Sequence, residues 1–165
     1  MRSWLSLPIT ILLISGVQCA KILAVFPMST PSSYILGSSL VVPLAEKGHD
    51  VTMISPFVEK KVPKNGTYKD IVLTGFKEEH ERQMKQMNLF DMGEVNVLLL
   101  APFMSKMTIE VTERTLSHPN VQKLIHSDEH FDVVIVEQFM NEALKGFAAH
   151  FNASLVVFNS VGANS

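Results

Sequence analysis

Two short apolar runs constrain the fold of this chain more than any other feature. Residues 22–26 (ILAVF) and 51–55 (VTMIS) have the length of strands, and residues 34–47 between them have helical periodicity, with Ile35, Leu36, Leu40 and Leu44 recurring. Apolar strands of this kind are typical of parallel sheets that helices cover on both faces. The sequence therefore predicts an α/β fold, with a Rossmann-like parallel sheet and flanking helices.

The same pattern of strand, helix and strand returns near the end of the chain. Residues 133–136 and 155–158 are predicted strands, and residues 139–151 between them form a predicted helix. Residues 70–73 have the pattern of a further strand, and residues 78–92 that of an amphipathic helix. Because a doubly wound domain continues with another helix at this point, we expect residues 20–165 to be part of a larger domain.

The first 19 residues have the pattern of a secretory signal peptide. Arg2 supplies positive charge, residues 5–17 form an apolar core, and Val17-Gln18-Cys19 is a small-x-small cleavage motif. The apolar core is shorter than the roughly 20 residues that a membrane-spanning helix needs. We expect cleavage after Cys19, entry into the secretory pathway and no membrane span in this segment.

Two sequons agree with that compartment. Asn65-Gly66-Thr67 and Asn152-Ala153-Ser154 are acceptors for N-linked glycan, and Asn65 is the better candidate because Asn152 abuts a predicted buried strand. A formal net charge of −2 gives no indication of nucleic-acid binding. The six histidines lack the spacing of metal ligands, so no metal site is predicted.

Any ligand is expected at the loop after the first strand, residues 27–33, because the carboxyl ends of parallel strands meet helix N-termini there. This loop contains neither a Gly-x-Gly-x-x-Gly run nor a Gly-Lys-Ser run, so side chains rather than backbone amides have to bind the ligand. Ser32 or Ser33 can also cap the following helix. Glu137 lies at the carboxyl end of the strand 133–136, on the same edge, and Glu142 lies a turn further along the chain. A carboxylate at position 137 is explained equally well without a ligand, by the stabilising effect of a neighbouring helix N-terminus.

A methionine-rich segment has two interpretations. Met84, Met87 and Phe90 share one face of the predicted helix 78–92, and thioethers adapt to irregular lipophilic ligands. Ordinary core packing explains the same pattern.

Five segments together resemble the N-terminal part of membrane-bound UDP-glycosyltransferases, the glucuronosyl and glucosyl transferases. They are KILAVFP, SYILGSSL, LAEKGHDVTMISPF, FDVVIVEQFMNEAL and SLVVFNSVGAN. The resemblance implies half of a GT-B fold, in which one Rossmann-like domain binds a small lipophilic acceptor and a second binds the UDP-sugar. It also implies the lumen of the endoplasmic reticulum, with a C-terminal membrane anchor that this segment does not contain.

The resemblance implies the site residues as well. The family activates the acceptor hydroxyl with a histidine at the start of the first helix, which a later acid orients. Matching the segments places Ser33 at the histidine position and Glu137 at the acid position, with Glu142 as the alternative acid. A serine cannot act as a base at neutral pH. Ser32, Tyr34, Met87 and Phe90 are the predicted acceptor-binding residues. No cofactor is expected to bind to this segment, because the family binds its UDP-sugar in the other half.

The predicted function is thus the transfer of a hexosyl or glucuronosyl group from a UDP-sugar to a small lipophilic acceptor. We expect the isolated chain to be inactive, since it lacks a donor half and carries Ser33. The alternative is a non-catalytic lumenal binding or interaction module, or a truncated product, that associates with full-length relatives. A different Rossmann-like nucleotide binder is disfavoured by the missing glycine-rich turn.

Overall fold

The computed structural model describes residues 19–60, 63–86, 97–139 and 141–159. The elements are, in order, β1 (Lys21–Val25), α1 (Pro31–Glu46), β2 (Asp50–Ser55), β3 (Thr67–Val72), α2 (Phe76–Gln86), α3 (Val97–Ser117), α4 (Pro119–Ile125), β4 (Val133–Glu137), a 3-10 helix (Glu142–Lys145), α5 (Gly146–His150) and β5 (Ser154–Phe158).

The five strands form one parallel sheet in the order β3-β2-β1-β4-β5. Leu23 of β1 is in register with Thr52 of β2 on one side and with Val134 of β4 on the other. The chain passes from β1 to β2 and β3 on one side, and later fills the other side with β4 and β5. The predicted Rossmann-like sheet is confirmed. Its switch in strand order lies between β1 and β4, where ligands of open α/β sheets bind.

Each face of the sheet has its own core, because alternate residues of a strand point to opposite faces. Ile22, Ala24 and Phe26 pack against α1, whereas Leu23 and Val25 belong to the core beneath the other helices. That second core includes residues of α2, α4, the 3-10 helix and α5, namely Phe76, Val121, Leu124, Leu144, Phe147 and Ala148. Helices on both faces explain why β1 and β4 are apolar along almost their whole length.

Helix α1 packs on the sheet through its small residues. Its buried stripe is Ser33, Gly37, Val41 and Ala45, at a spacing of four. The larger residues that set the predicted periodicity lie elsewhere: Ile35 is 62% exposed and Leu36 is also exposed. A Cβ on Gly37 would come within 2.8 Å of the Phe26 ring, so the close approach of helix and sheet requires glycine there.

The start of α1 differs from the prediction. The helix begins at Pro31, whose fixed φ suits a first helical position, and Thr30 is the N-cap residue without a side-chain capping hydrogen bond. The prediction that Ser32 or Ser33 caps the helix was therefore wrong. The other end agrees with expectation, since Gly48 follows the helix with a φ of 97°.

Helices α3 and α4 were not predicted from the sequence. Pro102 lies inside α3, and the C-terminal half of α3 carries Thr108, Thr112 and Thr115 on its buried side. An amphipathic pattern depends on the difference in polarity between the buried and the exposed face of a helix, and buried threonines reduce that difference. The predicted helix 139–151 is divided into the 3-10 helix and α5, and β3 starts three residues before the predicted strand.

None of the helices that the structure describes is long and apolar enough to cross a membrane. The predicted signal peptide lies almost entirely outside the described residues, and so does the C-terminal end of the predicted helix 78–92.

Candidate functional site

The two residues matched to the acceptor-activating pair lie in direct contact. Ser33 is in the first turn of α1, which follows β1, and Glu137 ends the adjacent strand β4. The Ser33 hydroxyl donates a hydrogen bond of 2.5 Å to Glu137 Oε2. Ser33 is 5% exposed and Glu137 3% exposed, so the pair is shielded from water. Because the buried stripe of α1 turns Ser33 toward the sheet, its hydroxyl binds Glu137 rather than the helix N-terminus.

A cavity of about 310 Å³ opens at this pair. Its walls are Ser33, Glu137, Met28, Thr30, Ser32, Leu36 and Phe139. Glu137 is the single ionisable side chain among these wall residues, and the rest are hydroxyl or apolar groups. The arrangement suits a small ligand with an apolar body and a hydroxyl, because Glu137 can accept a hydrogen bond while Leu36 and Phe139 contact carbon atoms.

Tyr34 does not line this cavity. Its hydroxyl donates a hydrogen bond of 2.9 Å to Glu59 Oε2, and its ring stacks on Phe57 at a centroid distance of 4.9 Å. Burial and this contact with Glu59 both raise the pKa of Tyr34, so the hydroxyl stays a donor. In the structure, Tyr34 attaches the loop after β2 to the start of α1.

A second group of polar residues completes that attachment. Asp70 accepts hydrogen bonds from the Glu59 amide at 3.0 Å and from the Tyr68 hydroxyl at 3.1 Å. Burial raises the pKa of Asp70, although both of these hydrogen bonds oppose the shift. Sequence analysis missed this group, because its residues come from α1, from the loop after β2 and from β3, and form no short motif.

Glu142, the alternative acidic residue, is not part of the cavity at Ser33. It is exposed, is paired with Lys145 and accepts a hydrogen bond from Gln138. The hydrogen bond from Lys145 lowers the pKa of Glu142. Of the two candidates, only Glu137 contacts Ser33.

Two of the histidines accept hydrogen bonds from backbone amides. His49 Nδ1 accepts a hydrogen bond of 3.1 Å from the Ala20 amide. His118 is buried at the N-cap of α4, where Nδ1 accepts from the Asn120 amide at 3.2 Å. Within the described ranges, no three His, Cys, Asp or Glu side chains are grouped so that they could hold a metal ion.

The structure describes some of the remaining predicted residues but not all of them. Ser32 lines the cavity, whereas Met87 and Phe90 lie outside the described residues. Asn65 and Asn152 are both exposed, and Asn152 has a positive φ of 50° in the turn before β5. Met28, Thr30, Leu36 and Phe139 were missed. Their positions just after β1 and β4 are the signal that could have identified most of them.

No family model matches the sequence. The chain is 29% identical over 147 residues to the ecdysteroid UDP-glucosyltransferase of Autographa californica nuclear polyhedrosis virus, a match that covers 86% of this chain and 28% of that protein. It is 24% identical over 143 residues to the ecdysteroid UDP-glucosyltransferase of Choristoneura fumiferana defective polyhedrosis virus, covering 82% and 29% respectively. The chain thus spans less than a third of the length of these relatives.

Among solved structures, the C-terminal domain of a hydrogenase from Pyrococcus furiosus matches with a TM-score of 0.32 at 15% identity, over 84% of this chain and 91% of that domain.

Proposed function

We propose that this chain is the acceptor-binding part of a UDP-sugar-dependent glycosyltransferase. The observation that carries the proposal is its similarity, over more than four-fifths of its length, to two proteins that are both named UDP-glucosyltransferases. The cavity at Ser33 and Glu137 supports it, since it lies at the sheet edge where α/β proteins bind their ligands.

In this proposal, the acceptor is a small lipophilic molecule with a hydroxyl group. Its carbon skeleton packs on Met28, Leu36 and Phe139, and its hydroxyl lies beside the Ser33–Glu137 pair. The acceptor oxygen attacks the first carbon of the sugar, the bond to UDP breaks, and the proton of the hydroxyl passes to a base. With serine at position 33, Glu137 is the candidate for that base among the described wall residues.

The donor is proposed to bind elsewhere in a longer protein of the GT-B type. Because both relatives are named for glucose and are more than three times as long as the matched segment, UDP-glucose is the donor to test first, with UDP-glucuronate as the comparison. The 165-residue chain by itself is expected to transfer no sugar. Turnover of UDP-glucose above background with a phenolic acceptor would contradict that expectation.

Titration of the 165-residue chain with 4-nitrophenol, in a mildly acidic buffer in which the phenol keeps its proton, tests the acceptor site. We expect saturable binding of one molecule per chain, measured by calorimetry. Glu137→Gln should weaken it about tenfold, because a charge-assisted hydrogen bond becomes a neutral one, a difference of ~1.4 kcal/mol.

Glu142→Gln is the matched control, since Glu142 is an acidic residue of the same segment that lies outside the cavity. It should change the affinity by less than about twofold, a free-energy change below ~0.5 kcal/mol. Absence of saturable binding, or an equal loss of affinity in Glu137→Gln and Glu142→Gln, would overturn the proposed acceptor site. Co-purification with a full-length relative, without phenol binding, would favour the interaction module instead.

A further inference from the structure

A second and larger cavity, of about 620 Å³, lies between α3 and the 3-10 helix. Ile109, Leu116 and Ala143 contribute apolar surface to its walls. None of the residues that line the cavity at Ser33 lines this one. Its volume is in the range of cavities that hold small organic ligands.

The cavity wall contains a buried side-chain amide of which only the oxygen is hydrogen-bonded to a described residue. Asn141 is 5% exposed, and its Oδ1 accepts a hydrogen bond of 3.0 Å from the Phe139 amide. This contact fixes the orientation of the side chain, because only the oxygen of an amide can accept. The Nδ2 atom, which can donate two hydrogen bonds, is buried without a partner among the residues that the structure describes.

Thr112 provides, in the same wall, a second polar atom without a hydrogen-bond partner among the described residues. It is 8% exposed, and its hydroxyl has no partner in the described part of the chain. Other hydroxyls of α3 behave differently: Thr108 donates to the Met104 carbonyl at 3.0 Å, and Thr115 donates to the Val111 carbonyl at 2.7 Å. Thr112 thus departs from a bonding pattern that its own helix follows.

Two other polar wall residues are already engaged. Ser117 donates to the Glu113 carbonyl at 2.7 Å, and Gln122 donates to the Leu116 carbonyl at 2.6 Å. Buried polar atoms without partners are rare in native proteins, and each one calls for an explanation such as a bound molecule. Two of them in the wall of one cavity favour a common explanation.

We propose that this cavity binds a neutral small molecule with an apolar body and a carbonyl or ether oxygen. That oxygen accepts a hydrogen bond from Asn141 Nδ2, and the Thr112 hydroxyl bonds a second polar group of the ligand. Glu113 and Glu142 also line the cavity and disfavour an anionic ligand. The proposal uses neither Ser33 nor Glu137, so it holds independently of the proposed transferase function.

Progesterone is a suitable probe, since it is neutral, has a rigid apolar body and carries ketone oxygens at its two ends. We expect saturable binding to the 165-residue chain in equilibrium dialysis with the radiolabelled steroid. Asn141→Asp keeps an oxygen for the Phe139 amide but removes the donor, and it should weaken binding at least tenfold. Thr112→Val has the same shape without the hydroxyl, and it should weaken binding about threefold.

Two further variants keep the outcome interpretable. Ala143→Leu fills the cavity from an exposed position and should weaken progesterone binding without affecting the fold, which circular dichroism checks. Ser33→Ala alters only the other cavity and should leave progesterone binding within twofold of that of the unaltered chain.

The amide protons of Asn141 supply a direct readout. Their resonances in a nitrogen-15 NMR spectrum should shift downfield when progesterone is added. Absence of saturable binding, or equal affinities in the unaltered chain and in Asn141→Asp, would overturn the proposal. Neither result would alter the expected effect of Glu137→Gln on 4-nitrophenol binding, so the two proposals can fail separately.

Discussion

Ser33 shows how the position of one residue decides its role. A serine near a helix start is usually a capping residue, because its hydroxyl can bond the first free amides. Here Ser33 is the first member of the buried stripe of α1, so its hydroxyl faces β4 and donates to Glu137. The sequence predicted a position for Ser33 near the carboxyl ends of the strands, but the partner of its hydroxyl depends on which face of α1 meets the sheet.

That face was predictable in principle and was missed for a physical reason. Leucine and isoleucine dominate a hydrophobic pattern, whereas Gly37 and Ala45 contribute little to it. Close packing of a helix on a sheet favours the small residues, and the large ones remain at the sides. A repeat of small residues at a spacing of four would have identified the buried face.

Gly37→Ala tests this packing at the scale of one residue. The added methyl group would approach the Phe26 ring to 2.8 Å and Met53 Cε to 2.9 Å, so the helix has to move away from the sheet. We expect a loss of about 1–3 kcal/mol in the free energy of unfolding, measured by urea denaturation.

Gly146→Ala is the matched control, because a Cβ there meets nothing within 4 Å and the backbone is already helical. It should leave the stability unchanged or raise it by up to about 1 kcal/mol. Equal effects of the two substitutions would show that the contact of Gly37 with Phe26 does not limit the packing of α1.

At the scale of elements, strands and helices differed in how well the sequence predicted them. Strands β1, β2, β4 and β5 were found within one or two residues, because each is a short run of mainly apolar residues between polar or turn-forming segments. β3 alternates in exposure along an outer edge of the sheet, and only its buried end was recognised. Helix α3 was missed because its buried side carries threonines, whose role depends on neighbours that are distant in sequence.

The edge strand β5 carries an unusual surface. Leu155, Val156 and Val157 are consecutive and all exposed, so apolar side chains are accessible on both faces of the strand. An apolar edge of this kind can pair with a second chain. We expect the isolated chain to self-associate at micromolar concentrations through β5.

Val156→Lys should reduce that self-association, because a lysine on an edge strand opposes pairing with another chain. Val58→Lys, an equally apolar and exposed position in a loop, is the control. Sedimentation velocity measures the fraction of monomer in each. If Val156→Lys associates to the same extent as the control, pairing through β5 is not the cause.

At the scale of the whole molecule, entry into the secretory pathway remains a prediction from the sequence, and the exposure of both sequons is compatible with it. Expressed in a eukaryotic cell, the chain should carry N-linked glycan at Asn65. Digestion with an N-glycosidase should increase its mobility in gel electrophoresis, and Asn65→Gln should remove that shift.

Thr67→Ser preserves the sequon and should retain the shift, which separates loss of the acceptor from disturbance of β3. A shift that persists in Asn65→Gln and disappears in Asn152→Gln would place the glycan at the second sequon. An unmodified chain in all of these variants would contradict the lumenal location.

The central position of β1 has a consequence for synthesis. β1 is the first strand to be made, but one of its two neighbours is β4, where Val133 pairs with Ile22. At translation rates of about 5–20 residues per second, β1 waits roughly 5–20 s for that partner. During this time one edge of an almost wholly apolar strand has no neighbouring strand. A chaperone that recognises short apolar segments is therefore expected to bind β1 before residue 137 has been added.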